Sequence, residues 1–160
     1  MEELRDIFSQ ERGSEVDITV VLDVTGSMRP YFDAIRTGLI PMLQEIVAGF
    51  DSYRIGLVFY KDYFDDFLNK VFPFTADFAE IQRNVNDVGV GGGGDIPEAV
   101  YEALYAGATR LSWAAERRIM ILIGDAPPHP RPRRNITRQM VERETVRRGI
   151  EIHAIMLPHP

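Results

Sequence analysis

Asp23, Thr25 and Ser27 stand at alternate positions in the stretch Asp23-Val24-Thr25-Gly26-Ser27-Met28, directly after the apolar, β-branched run over 16–22. One carboxylate and two hydroxyls around a glycine, which lets the backbone turn tightly, make a short loop rich in oxygen. Hard divalent cations such as Mg2+ and Mn2+ prefer oxygen ligands and often keep waters and an open coordination position. One reading of the stretch is therefore a metal site. The other is a polar strand-to-helix turn in which Ser27 caps the helix that follows, and these residues alone do not separate the two.

Two more segments carry chemistry of the same kind. Asp125 ends the apolar run over 118–124, and Gly91-Gly92-Gly93-Gly94 leads into Asp95-Ile96-Pro97-Glu98. A run of glycines is costly in entropy and is tolerated where the backbone must take an unusual path or approach something closely. His129 lies in the Pro-rich loop after Asp125, and Tyr60 and Asp62 end another apolar run; all three can reach the rim of a shared site. Arg131, Arg133 and Arg134 form a basic cluster read as a solvated helix start.

The elements that must position these residues follow from periodicity. Strands are expected over 16–23, 53–60, 70–75, 118–124 and 150–157, and helices over 30–48, 77–88, 98–112 and 135–148. Pro30 suits a first helical turn, whereas Pro41 inside the first long pattern predicts a kink or an early break. Asp77 is a candidate cap, and Gly49 and Gly149 are helix stops. The connection of about ten residues between the second and third strands is too short for a parallel return, so that pair is expected as an antiparallel hairpin. Residues 1–10 read as a leading helix and 11–15 as a linker, which places the domain at 15–160. Alternating strands and helices predict a three-layer, Rossmann-like α/β sandwich, with a mostly parallel sheet, one short antiparallel edge strand and helices on both faces. In such sheets ligands bind beyond the carboxyl ends of the strands, where Asp23, the glycine loop and Asp125 converge.

Composition narrows the function. A chain of 160 residues suits one domain with a full core. Its formal charge of −6 argues against nucleic-acid and anionic-membrane partners. With no cysteine, thiolate catalysis, zinc–thiolate sites and disulfides are excluded. No run reaches the roughly 18 apolar residues of a spanning helix, and the N-terminus is acidic and amphipathic, so a cytoplasmic location is expected.

With these residues assembled, the chain resembles the von Willebrand factor type A domains, the fold of the integrin I domains, over about 15–157. The family pattern is Asp-x-Ser-x-Ser after the first strand, a Thr in a later loop and an Asp ending the fourth strand. Asp23-Val24-Thr25-Gly26-Ser27 matches the first element with Thr in place of the first Ser, and Asp125 matches the last. The resemblance implies a metal-ion-dependent adhesion site that holds Mg2+, with Mn2+ or Ca2+ as alternatives, on Asp23, Thr25, Ser27, Asp125 and a third element. At that third element the chain departs from the commoner Thr. Asp95-Ile96-Pro97-Glu98 looks like the Asp-x-Pro-Glu of integrin β-subunit domains, which assigns Glu98 as ligand and Asp95 as the alternative. His129, Asp62 and Met28 are then expected on the partner-binding rim. The family fold also carries a sixth strand and a final helix, so the chain is expected to be a compact variant or a piece of a longer protein.

The function implied is a module that engages the acidic side chain of a partner protein through its bound cation. The setting is a larger multidomain chain or an ATPase or kinase assembly. The rival is a Mg2+-dependent phosphatase or phosphotransferase that uses Asp23 as nucleophile. Against it, Thr25 stands where a second Asp is needed, no lysine ends a matching strand, and only His129, His153 and His159 could serve as bases. The domain is therefore expected to bind rather than catalyse.

Overall fold

The apolar run over 16–22 forms the centre of the sheet, buried on both faces. The computed structural model describes residues 13–61, 69–91, 100–125 and 136–158. Strand β1 (Gly13–Asp23) pairs in parallel with β2 (Phe50–Tyr60) on one side and with β4 (Arg117–Gly124) on the other. β5 (Ile150–Met156) extends the sheet in parallel beyond β4, and β3 (Asn69–Thr75) lies antiparallel to β2 at the far edge, giving the order β3-β2-β1-β4-β5. The expected hairpin is thus present. Pro73 in β3 lies at the sheet edge where the register with β2 shifts, so its missing N–H breaks no regular ladder.

Among the described residues, four α-helices cover the two faces: α1 (Arg29–Val47), α2 (Phe78–Asp87), α3 (Val100–Thr109) and α4 (Arg138–Arg147). Strand side chains alternate between them. Ile18, Val20 and Leu22 pack with Phe32, Leu39 and Leu43 of α1 and Ile81 and Val85 of α2. Val21, Val58 and Tyr60 pack with Val100, Ala103 and Leu104 of α3 and with Val141 of α4. Asp77 caps α2 by accepting from Ala79 N at 2.9 Å, and Thr137 caps α4 by accepting from Met140 N at 3.2 Å. Gly149 ends the α4 turn with φ of +65°, a conformation in which a side chain would be strained.

Two expectations are corrected. β1 begins at Gly13, inside the stretch expected as linker, because Gly13 and Glu15 already pair with Phe50 and Ser52. Of the kink or early break expected at Pro41, the break does not occur, because α1 continues to Val47. Pro41 is exposed, whereas Met42, Leu43, Ile46 and Val47 beyond it are buried, and this packing outweighs the roughly 3 kcal/mol that an interior proline costs. The leading helix expected over 1–10 lies outside the described residues.

Candidate functional site

β1 and β4 are neighbours whose last paired residues are Leu22 and Ile123, so their carboxyl ends leave the sheet side by side. The chain turns toward α1 after β1, and β4 leads to the other half of the sheet, which makes this edge the topological switch point. Gly26–Met28 form a single 3-10 turn between β1 and α1. That turn brings Asp23, Thr25 and Ser27 onto one side and faces them toward Asp125.

The four side chains form one hydrogen-bonded cluster. Asp23 Oδ1 accepts from the Thr25 backbone N–H at 2.8 Å and from the Thr25 hydroxyl at 2.6 Å. Thr25 Oγ1 and Ser27 Oγ lie 3.2 Å apart, and Ser27 Oγ donates to Asp125 Oδ1 at 3.1 Å across 98 residues of sequence. Asp23, Thr25 and Asp125 are buried. Ser27 caps no helix: the residue before α1 is Met28, with no side-chain cap, and the Ser27 hydroxyl faces the cluster instead. The capping reading of this turn is therefore wrong.

The cluster is short of hydrogens. Each hydroxyl has one, and the Thr25 hydrogen is committed to Asp23. Ser27 must then choose between Thr25 Oγ1 and Asp125 Oδ1, so one of these oxygen pairs has no hydrogen between its partners. Asp125 Oδ2 is buried and has no hydrogen-bond partner among the described residues. Converging oxygens with too few hydrogens fit a divalent cation, which accepts lone pairs where a hydrogen would otherwise be needed. Among the described residues no group of three or more acidic or histidine side chains gathers; the two carboxylates here are Asp23 and Asp125.

Glu98, Asp95, His129 and Asp62 lie outside the described residues. The backbone that leads to each of them starts at the cluster. Gly91 N–H donates to Val24 O at 3.0 Å, one residue before the segment 92–99 begins, and Arg29 holds the same strand of chain through Val90 O at 3.2 Å. Val24 N–H donates to Tyr60 O at 3.0 Å, just before 62–68, and Asp125 itself opens 126–135.

Met28 is not on a rim. It is 0% exposed and belongs to the core between β1 and α1, because the 3-10 turn points it inward as Ser27 points toward Asp125. Three further residues adjoin the cluster, of which sequence reasoning placed only Tyr60 at this edge. Tyr60 is the register partner of Asp23 and is 1% exposed, Lys61 after it is buried, and Gly124 packs against Asp23. The apolar run ending Phe59-Tyr60 at the same edge was the available signal for Tyr60; a glycine at the end of a buried strand was the signal for Gly124.

The sequence model of the von Willebrand factor type A domain matches residues 17–156. The chain belongs to that family. Among curated relatives, it is 32% identical over 134 residues to the alpha-protein kinase vwkA of Dictyostelium discoideum, an alignment that covers 80% of this chain and 21% of the kinase. It is 28% identical over 114 residues to a putative ariadne-like RING finger protein of Acanthamoeba polyphaga mimivirus, covering 71% of this chain and 11% of that protein. The chain thus spans about a fifth or less of these relatives' lengths. Solved structures share the fold. The pilus adhesin SpaC of Lactobacillus rhamnosus GG superposes with a TM-score of 0.55 at 20% identity, over 74% of this chain and 16% of the adhesin. An aerotolerance-related membrane protein of Bacteroides fragilis superposes with a TM-score of 0.61 at 18% identity, over 88% of this chain and 67% of that one. Von Willebrand factor type A domains are in general protein-interaction modules, and that is the coarse function of this one.

Proposed function

We propose that the domain holds one divalent cation, Mg2+ with Mn2+ or Ca2+ as alternatives, and uses it to engage an acidic side chain of a partner protein. The carrying observation is the largely buried, hydrogen-poor cluster of Asp23, Thr25, Ser27 and Asp125, with Asp125 Oδ2 lacking a partner among the described residues. Glu98 is the third carboxylate of this reading and Asp95 its alternative; their segment departs from Gly91, which is hydrogen-bonded to the motif loop. The cation's contribution, when bound, is a positive charge with an open position for a carboxylate oxygen.

The charge balance sets the strength of that capture. Asp23, Glu98 and Asp125 bring about −3 of formal charge to a +2 ion, where a Thr in place of Glu98 would leave about −2. Such a site binds its cation tightly and draws an incoming carboxylate less strongly than the Thr form. A binding role also agrees with the surroundings. His153, the one described histidine, lies at the level of Ile121 in β5, three residues before the strand's end, and faces Glu151 at 3.5 Å rather than the cluster. The domain's setting, in this reading, is a cytoplasmic multidomain protein or a kinase- or ATPase-containing assembly, in keeping with the kinase relative that carries a similar segment.

Titration calorimetry with Mg2+ and Mn2+ tests the reading directly. The wild-type chain is expected to bind one ion and Asp23→Ala to bind none. Absence of binding to the wild type, or equal binding to the variant, overturns it. A pull-down compared with and without EDTA then asks whether partner capture depends on the ion.

A further inference from the structure

The motif loop that carries Thr25 and Ser27 is tied at both ends to one strap of chain, the segment over 88–91 that leaves α2 from an extended Val88. At the start of the loop, Gly91 N–H donates to Val24 O at 3.0 Å. At its end, Arg29 Nη2 donates to Val90 O at 3.2 Å. Consecutive residues of the strap thus bracket residues 24–29, with Thr25 and Ser27 between the ties. Such ties hold only if the strap is itself held. Arg36, about two turns along α1 from Arg29, donates through Nη2 to Val88 O at 3.1 Å and through Nε to Val85 O at 3.4 Å, and Val88 and Val90 pack against the core.

Arg29 is electrostatically costly where it stands. It is the first residue of α1, where the helix dipole is positive and disfavours a cation, and no acidic residue in the first turn offsets it. Its charge also opposes a cation at the cluster. A residue that breaks the local charge rule twice is explained by the reach of its side chain rather than by its charge. We propose that Arg29 is a positioning residue for the cation site: by holding Val90 O it fixes the far end of the motif loop, and with it the directions in which Thr25 and Ser27 present their hydroxyls toward Asp23 and Asp125. This inference rests on the cation-binding reading of the cluster. Met28 grips the same end of the loop from the core, and Arg29 grips it from the surface. A guanidinium has no lone pair to offer a metal, so Arg29 acts through the backbone and not as a ligand. Groups that orient the ligands of a metal raise its affinity without touching it.

The test uses the 160-residue chain, with Mg2+ as the probe, in calorimetry and in thermal melts with EDTA or saturating Mg2+. Arg29 is exposed, so Arg29→Met leaves the core intact while it removes both the donor and the charge. Charge alone predicts tighter Mg2+ binding in this variant, because a cation has been taken away from the site. Positioning predicts the opposite sign: binding about 3- to 10-fold weaker than wild type, as for the loss of one hydrogen bond, with a smaller Mg2+-induced rise in melting temperature. Arg29→Lys keeps the charge and a donor and is expected to recover most of the lost affinity. Wild-type binding with unchanged or tighter affinity in Arg29→Met overturns the inference while the cation reading stands, and so does Arg29→Lys binding as weakly as Arg29→Met. A merely structural role would lower the EDTA melt of Arg29→Met and leave its Mg2+ affinity in place, which also overturns the inference. A wild type that binds no ion overturns the cation reading itself.

Discussion

Within one turn of chain, Ser27 and Met28 point to opposite worlds. Ser27 Oγ meets Asp125 across the sheet edge, whereas Met28 is 0% exposed and packs in the core with Val24, Phe32 and their neighbours. The 3-10 turn thus couples the cluster to the core, since moving Met28 would move Ser27 as well. Met28→Ala removes a buried thioether side chain and leaves a cavity that close packing does not refill. It is expected to cost about 2 to 4 kcal/mol in urea unfolding without Mg2+. A cost below about 1 kcal/mol would mean that the side chain is exposed, as a place on the partner-binding rim would require.

At the scale of elements, α1 shows how tertiary packing overrides local signals. Gly38 and Pro41 are both poor helix formers in its middle, yet the helix is continuous over Arg29–Val47 because Phe32, Ile35, Leu39, Met42, Leu43 and Ile46 bury one face. A Cβ at Gly38 would meet no atom within 4 Å, so Gly38→Ala should stabilise the domain by about 0.5 to 1 kcal/mol through chain entropy alone. A denaturation midpoint that stays put or falls would show a contact at Gly38 that the helix surface does not have. Pro41 also marks where reading the sequence ran short. Its local penalty is visible in the chain, but the apolar face that repays it depends on β1 and β2, which only the fold brings together. The strands themselves were legible because the carboxyl halves of β1, β2 and β4 are buried on both faces and read as nearly continuous apolar runs. The extension of β1 back to Gly13 was not, since Gly13 and Glu15 carry no strand signal and are held by pairing to β2. In the site, Asp23, Thr25, Ser27 and Asp125 could be found by residue type and position at strand ends. The pairing of Tyr60 opposite Asp23 needed the register between β1 and β2, which no local pattern encodes.

The molecule as a whole is pinned at both ends of its sheet, and the end opposite the cluster can be titrated. There Asp17 of β1, 1% exposed, accepts from Arg54 of β2 through Nε at 2.9 Å and Nη2 at 2.7 Å, and from the amides of Ala114 and Ala115 at 2.8 and 2.9 Å. Arg54 also donates to Ser112 O at 2.9 Å and lies 4.6 Å over the ring of Phe74 in β3. One carboxylate thereby ties β1, β2, β3 and the approach to β4. Burial by itself raises the pKa of Asp17, but the Arg54 hydrogen bonds, the two amides and the Arg54 charge together outweigh it and hold the group below its ordinary 3.8. The folded state therefore binds this proton less readily than the unfolded chain. The resulting stability is fully present above pH 3.8 and is lost as pH falls below that value through the folded pKa. Asp17→Asn keeps the shape but gives up the charge-assisted bonds and sets an amide N–H2 against Arg54 or the Ala114 and Ala115 amides, at a cost of about 2 to 4 kcal/mol at neutral pH. Chemical denaturation of both proteins from pH 7 downward is expected to give a constant gap down to about pH 4, which then narrows as the unfolded wild-type chain takes up the Asp17 proton that the folded state refuses. A gap of the same size at the acid end would mean that Asp17 holds these four elements by shape alone and not by its charge.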